Sequence, residues 1–198
     1  MVPMADILFD GLPVLDLLEI APSTSVVAQI TQRDQSSISR IYRQVSRRLG
    51  LEFRKHTDGR YRASANQVLL EGLRRSSQWL RLQASPAEPR WLACGHAGQV
   101  HAALQPTLVQ HCSHPQQIEA LLLERVLDLA VLTLPDAVAP RSDGELVEIP
   151  LLRHAGGVDR IAVRGDLRDQ PVLQALIEAL QRQAQQHLRQ HPEQEWLG

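Results

Sequence analysis

The chain has 198 residues, 43% of them hydrophobic, with 21 Lys and Arg against 22 Asp and Glu for a formal net charge of -1. This is enough apolar material to bury the core of one domain or two small ones, and no apolar run approaches the length of a membrane span, so no membrane partner is expected. The opening MVPMADILFD lacks the basic-then-apolar layout of a secretory signal, which points to a cytoplasmic protein whose two cysteines are reduced.

The near-neutral total conceals an asymmetry. Cut in the Pro-containing stretch Ala84–Pro89, the chain carries 12 basic and 8 acidic residues up to Ser85, a balance of +4, and 9 basic and 14 acidic residues beyond it, a balance of -5. A basic half joined to an acidic half suggests an anion-binding module attached to something else.

Leu12 to Ile20 has leucines at helical spacing, with Pro13 tolerated in a first turn, and predicts a short first helix. Pro22 stops it. Ser23 or Ser25 can then cap a second helix through Val26, Val27, Ala28 and Ile30. A third helix follows over DQSSISRIYRQVSRRLG. Ile38, Ile41, Val45 and Leu49 fall on one face, Asp34 is a good N-cap, and Gly50 stands where a left-handed C-cap residue is wanted. The opposite surface carries Ser36, Ser37, Arg40, Arg43, Gln44, Arg47 and Arg48, donors that can reach phosphate oxygens and base edges.

Beyond Gly50, Asp58-Gly59 is a two-residue hairpin signal between Leu51–Lys55 and Arg60–Arg62, which reads as a wing bearing Arg54, Lys55, Arg60 and Arg62. An amphipathic helix with a basic face is by itself most often just solvated. Nine basic residues against three acidic ones between Arg33 and Arg62, inside a helix-turn-helix with a wing, tip the balance to DNA binding. Ala65 to Gln83 is then a longer helix whose Leu69, Leu73, Ser76 and Leu80 alternate spacings of four and three, suited to pairing with a second copy.

The order of these elements, and QSSISRIYRQVSRRLGLEFRK in particular, resembles the N-terminal domain of LysR-type transcriptional regulators. Gln35, Ser39, Arg40, Leu49, Gly50, Phe53 and Arg54 match the family pattern; Arg33, Asp34 and Ser36 depart from it. The resemblance implies a winged helix-turn-helix over 1–64, a linker helix and hinge over 65–89, and a dimer. It extends more faintly past Pro89. Trp91–Cys94, Ile118–Leu132, and Leu146–Arg153 with Arg160–Arg164 resemble strands and a helix of the first lobe of the periplasmic-binding-protein-like effector domain, and Asp169–Leu188 resembles its closing helix. About a hundred residues of a second lobe find no counterpart, which implies a regulator without the usual two-lobe coinducer cleft and leaves a small-molecule effector open.

On its own pattern, 90–198 reads as a small α/β unit: strand Trp91–Cys94, a helix near Gly98–Leu104, strand Thr107–His111, helix Gln116–Val126, strand Leu129–Thr133, two further strands, and a closing helix. Cys94, His96, His111, Cys112 and His114 would gather at the C-terminal ends of two neighbouring strands, where open α/β sheets place ligands. Thiolate and imidazole together suit zinc or copper(I), but the spacing matches no closed zinc motif, and chance proximity is the preferred reading. His187 and His191, four apart before Pro192, read as solvated surface, and Gly156-Gly157 as a turn.

The expected fold is therefore α+β or α/β, a winged helix-turn-helix and long linker helix followed by a one-lobe α/β domain. The expected function is a dimeric, sequence-specific regulator of transcription that binds double-stranded DNA. Ser36, Ser37 and Arg40 would read bases, Arg43, Arg47, Arg54, Lys55, Arg60 and Arg62 hold phosphates, and Gln35, Ser39 and Gln44 complete the DNA-binding set. No catalytic arrangement is identifiable, and neither an enzyme nor a cofactor is expected. The alternatives are an interaction module that heterodimerises with and antagonises a full-length regulator, and a metal or redox sensor acting through Cys94, Cys112 and the neighbouring histidines.

Overall fold

The computed structural model describes residues 7–21, 23–55, 61–104 and 115–198, which fall into two compact units, Met1–Trp79 and Leu80–Gly198. The wing tip with Asp58, Gly59 and Arg60 lies outside the described residues. So do the expected strand Thr107–His111 and the candidates His111, Cys112 and His114.

In the first unit a π-helical turn, Ile7–Gly11, leads into α1 (Leu12–Ile20), followed by α2 (Thr24–Thr31) and α3 (Gln35–Leu49). Eight of the nine residues of α1 are buried, which is why its sequence is apolar almost all round. Ser23 caps α2 by accepting from the Val26 N–H at 3.3 Å. The wing is β1 (Phe53–Lys55) paired antiparallel with β2 (Tyr61–Ala63), and α4 (Gln67–Gln83) follows. Leu12, Leu15, Val45, Leu49, Leu51 and Leu70 form the core, with Ile41, Tyr42, Phe53 and Leu73 packed against it. Each such burial contributes about 1.5–3 kcal/mol.

One buried polar group interrupts this core. Arg74 of α4 donates to Asp16 at 2.9 Å and to Glu19 at 2.7 Å on α1, with all three side chains at most 4% exposed. The two carboxylates offset the guanidinium's loss of water and hold its pKa above the usual arginine range. The division between the units falls inside α4, whereas the sequence suggested a separate linker over 65–89.

The second unit is a five-stranded sheet in the order β3-β4-β6-β5-β7, built from β3 (Trp91–Ala93), β4 (Leu129–Leu134), β5 (Leu146–His154), β6 (Gly157–Arg164) and β7 (Glu195–Trp196). β3 runs parallel to β4, and the remaining pairings are antiparallel. The helical elements are α5 (His96–Val100), a 3-10 turn Ala102–Leu104, α6 (Pro115–Leu123), a 3-10 turn Gly165–Leu167 and α7 (Pro171–Leu188). Leu173, Ile177, Leu180 and Ala184 are the buried stripe of α7, at spacings of four, three and four. Ile177, Leu180 and Ala184 join Trp91, Leu129, Val131, Leu151, Leu152 and Ile161 in the main core.

β6 begins at Gly157 and not near Arg160, and β7 was not anticipated. The early turns of β6 carry Asp159 and Arg160, both buried, so the polar pair hides three residues of strand from an apolar pattern. Gly156 lies in the tight β5–β6 turn, as expected. Among the described residues no helix is long and apolar enough to cross a membrane.

Candidate nucleic-acid interface

The solvent face of α3 is fixed at both of its ends. At the start, Asp34 accepts from the Ser37 N–H at 2.9 Å and the Ser37 hydroxyl at 2.7 Å, and from Ser36 as well. These donors, the Ser36 hydroxyl foremost, hold the Asp34 carboxyl well below the usual carboxylate range. Gln35 is tied back to α2 by a bond from its Nε2 to Thr24 Oγ1 of 3.1 Å.

At the other end Gly50 takes φ +60°, and Asn66 donates from Nδ2 to the carbonyls of Leu49 (2.9 Å) and Gly50 (3.1 Å). A Cβ at Gly50 would stand 2.7 Å from that same Nδ2, so glycine is required both for the left-handed turn and for the approach of Asn66.

Between these ends Ile38, Val45 and Leu49 are buried, and Gln35, Ser36, Arg40, Arg43, Gln44, Arg47 and Arg48 are exposed, with Ser37 and Ser39 half-buried. A shallow depression is lined by Ser36, Ser39, Arg40, Arg43, Gln44, Arg47 and Arg48. Among the described residues no carboxylate pairs with Arg40, Arg43, Arg47 or Arg54. Arg33, by contrast, is paired with Asp10 at 2.7 Å.

The wing is held to α3 by an aromatic contact. Tyr42 of α3 meets Phe53 of β1 edge-on with ring centroids 5.6 Å apart. Across the wing the register places Arg54 directly opposite Arg62, and Lys55 opposite Tyr61. This pair was not legible in sequence, because the register depends on the whole turn.

Fold order and site geometry together point one way. The chain is similar to LysR-type regulators. Solved structures that it resembles include a full-length OxyR from Pseudomonas aeruginosa at 14% identity, covering 71% of this chain and 54% of that one with a TM-score of 0.41. ArgP from Mycobacterium tuberculosis is 18% identical over 75% of this chain and 53% of that one, with a TM-score of 0.34. Full-length CbnR complexed with its target DNA is 19% identical over 73% of this chain and 57% of that one, with a TM-score of 0.27. The chain thus spans about half the length of the LysR-type structures it matches. No family model and no curated protein matches the sequence. With every TM-score below 0.5, the LysR-type likeness is one of element order, and the site stands on this chain's own residues.

On the exposed side of α4, Val68 (86% exposed), Leu69 (45%), Trp79 (40%) and Leu80 (44%) are solvent-facing apolar side chains, with Gly72 and Ser76 between them. Leu73, expected in the same stripe, is half-buried against the core of the first unit. Val68 was not in the expected set, although it falls on that face at helical spacing.

Of the cysteine and histidine candidates, Cys94 and His96 fall among the described residues. Cys94 is half-buried and His96 opens α5, where its partners include His154 and Asp159, neither of which the spacing suggested. His187 and His191, expected to be solvated, are half-buried and stacked on each other with centroids 4.1 Å apart.

Proposed function

We propose that the chain is a sequence-specific DNA-binding regulator of transcription that acts as a homodimer. The observation that carries this reading is the solvent face of α3, where, among the described residues, Arg40, Arg43 and Arg47 have no carboxylate partner, beside a wing that places Arg54 opposite Arg62. A recognition helix of this kind enters the major groove with its first turns toward the bases, so Ser36, Ser37, Ser39 and Arg40 read sequence while Gln35 and Gln44 contact the flanking sugars or bases. Arg43, Arg47, Arg54 and Arg62 neutralise phosphates, and Lys55 and Arg60 extend that set along the wing.

The apolar face of α4 supports pairing with a second copy. Four large apolar side chains on one exposed helix face need a cover, and two copies joined through α4 would present two recognition helices to two half-sites. In this division 1–64 binds DNA, 65–89 joins the copies and 90–198 is the regulatory unit.

Selection of sites from random duplex DNA with the intact chain, at low and at raised salt, tests the reading. A partly palindromic site that survives the higher salt is the expected result. Weak, sequence-blind binding lost with salt overturns it, because only the phosphate contribution would then be present.

A further inference from the structure

Five of the chain's eight histidines, His96, His101, His154, His187 and His191, lie close together in the second unit around one buried carboxylate, Asp159. Asp159 is 0% exposed and accepts from His96 Nδ1 at 2.6 Å, from His154 Nε2 at 3.2 Å and from Thr133 Oγ1 at 2.6 Å. The two imidazoles stack at a centroid distance of 3.9 Å. We propose that His96, His154 and Asp159 form a binding site for one divalent transition-metal ion of the zinc class, with a fourth position left to solvent.

The sheet builds the site. Thr133 of β4 is the direct register partner of Asp159 of β6, and His154 ends β5 at the turn that opens β6, so three neighbouring strands fix three of the four side chains. His96 arrives from the loop after β3 at the start of α5. One ligand atom from each of His96, His154 and Asp159 lies within 4.8 Å of the others. Ligands bonded at about 2.0–2.1 Å around a tetrahedral ion lie about 3.3 Å apart, and the two histidine–carboxylate contacts here are 2.6 and 3.2 Å. Imidazole with carboxylate is a zinc-type donor set, and the Thr133 hydroxyl supplies the outer hydrogen bond that orients such a carboxylate.

The proton positions also accommodate an ion. Without metal, His154 Nδ1 accepts from the Gly156 N–H at 3.1 Å and His96 Nε2 faces the Gln194 amide nitrogen at 3.3 Å, so the protons sit on the nitrogens aimed at Asp159. For His96 Nδ1 and His154 Nε2 to bind an ion, each ring must carry its N–H on the far nitrogen. At His96 that N–H meets Gln194, whose Oε1 is buried and, among the described residues, lacks a hydrogen-bond partner, and a turn of that amide pairs the two. At His154 the exposed glycine turn swings its N–H to solvent.

The test uses the intact, tag-free chain, dialysed against zinc chloride and then analysed for metal, with cobalt(II) absorption reporting coordination geometry. One zinc per chain, a raised melting temperature and a tetrahedral cobalt spectrum are expected. Thr133→Val should weaken zinc by roughly 10–100-fold, and His96→Gln and Asp159→Asn by more than that. His191→Gln should bind as the native chain does. His96 is partly exposed, so His96→Gln keeps the test decisive if the Asp159 variant fails to fold. Absence of stoichiometric zinc, or native affinity in folded His96→Gln, overturns the proposal.

Discussion

Tyr42 and Phe53 meet edge-on with ring centroids 5.6 Å apart, and this contact is what ties the wing to the helix whose basic face lies beside it. Edge-to-face pairs contribute about 0.5–1.5 kcal/mol beyond their buried area. A double-mutant cycle of Tyr42→Leu and Phe53→Leu, read by urea unfolding, is expected to give a coupling in that range. A coupling near zero would mean that the rings merely share a core and do not hold the wing.

The two classes of cation on the basic surface should separate in binding experiments. Arg40→Ala is expected to cost about 1–3 kcal/mol on a selected site and little on random duplex, since it removes a base contact. Arg54→Ala should weaken both alike and lower the slope of log affinity against log salt by about 1. Fluorescence anisotropy over a salt series distinguishes these, and equal losses on both duplexes for Arg40→Ala would contradict the base-reading role.

Arg74 is the most exposed to single-residue damage in energetic terms, because it is buried against two acids. Arg74→Met leaves Asp16 and Glu19 without that cation, and breaking a buried pair in this way costs about 3–5 kcal/mol. Adding Asp16→Leu and Glu19→Leu to Arg74→Met should recover most of the loss. Chemical denaturation of the single and triple variants checks both statements.

His101 makes stability depend on pH. Its ring is fully buried, and burial pushes its pKa down to about 4 from the ordinary 6.5. The folded chain therefore binds fewer protons than the unfolded one between these values. Stability from this group is complete above pH 6.5 and declines as pH falls toward 4, by about 3 kcal/mol in all. His101→Leu should flatten that part of the stability profile, measured by melting temperature from pH 7.5 to 4.5.

The apolar face of α4 predicts an association that charge disrupts. Leu69→Glu or Leu80→Glu should convert a dimer to monomer in analytical ultracentrifugation and reduce affinity for a two-half-site duplex much more than for a single half-site. Both positions are exposed, so neither substitution should unfold the chain.

The first unit was largely legible because its signals are local. Leu12–Ile20, the Ser23 and Asp34 caps, Gly50 and the two wing strands are each written within a few neighbouring residues, and the structure places them there. The stripe on α4 was legible only in part. A four-and-three spacing does not say which flank meets the chain's own core, and Leu73 lies on that flank. Of the histidine site only His96 was legible as a candidate ligand, and its partners were not. Thr133, His154 and Asp159 come together through strand register, which spacing along the chain does not encode, and Asp159 breaks the apolar run that would have marked its strand.

Asn66 stands at the entrance to α4, where its carbonyl accepts from the Leu70 N–H, while its side chain grips the last carbonyls of α3. One residue is thus pinned to both helices. A torque that redirects the start of α4 must either break the two side-chain bonds or swing the far end of α3 with it. In the proposed dimer on DNA, Asn66 would make the two helices a bell crank, converting a change in how two copies lean on each other into a change in the pitch at which each reads its groove.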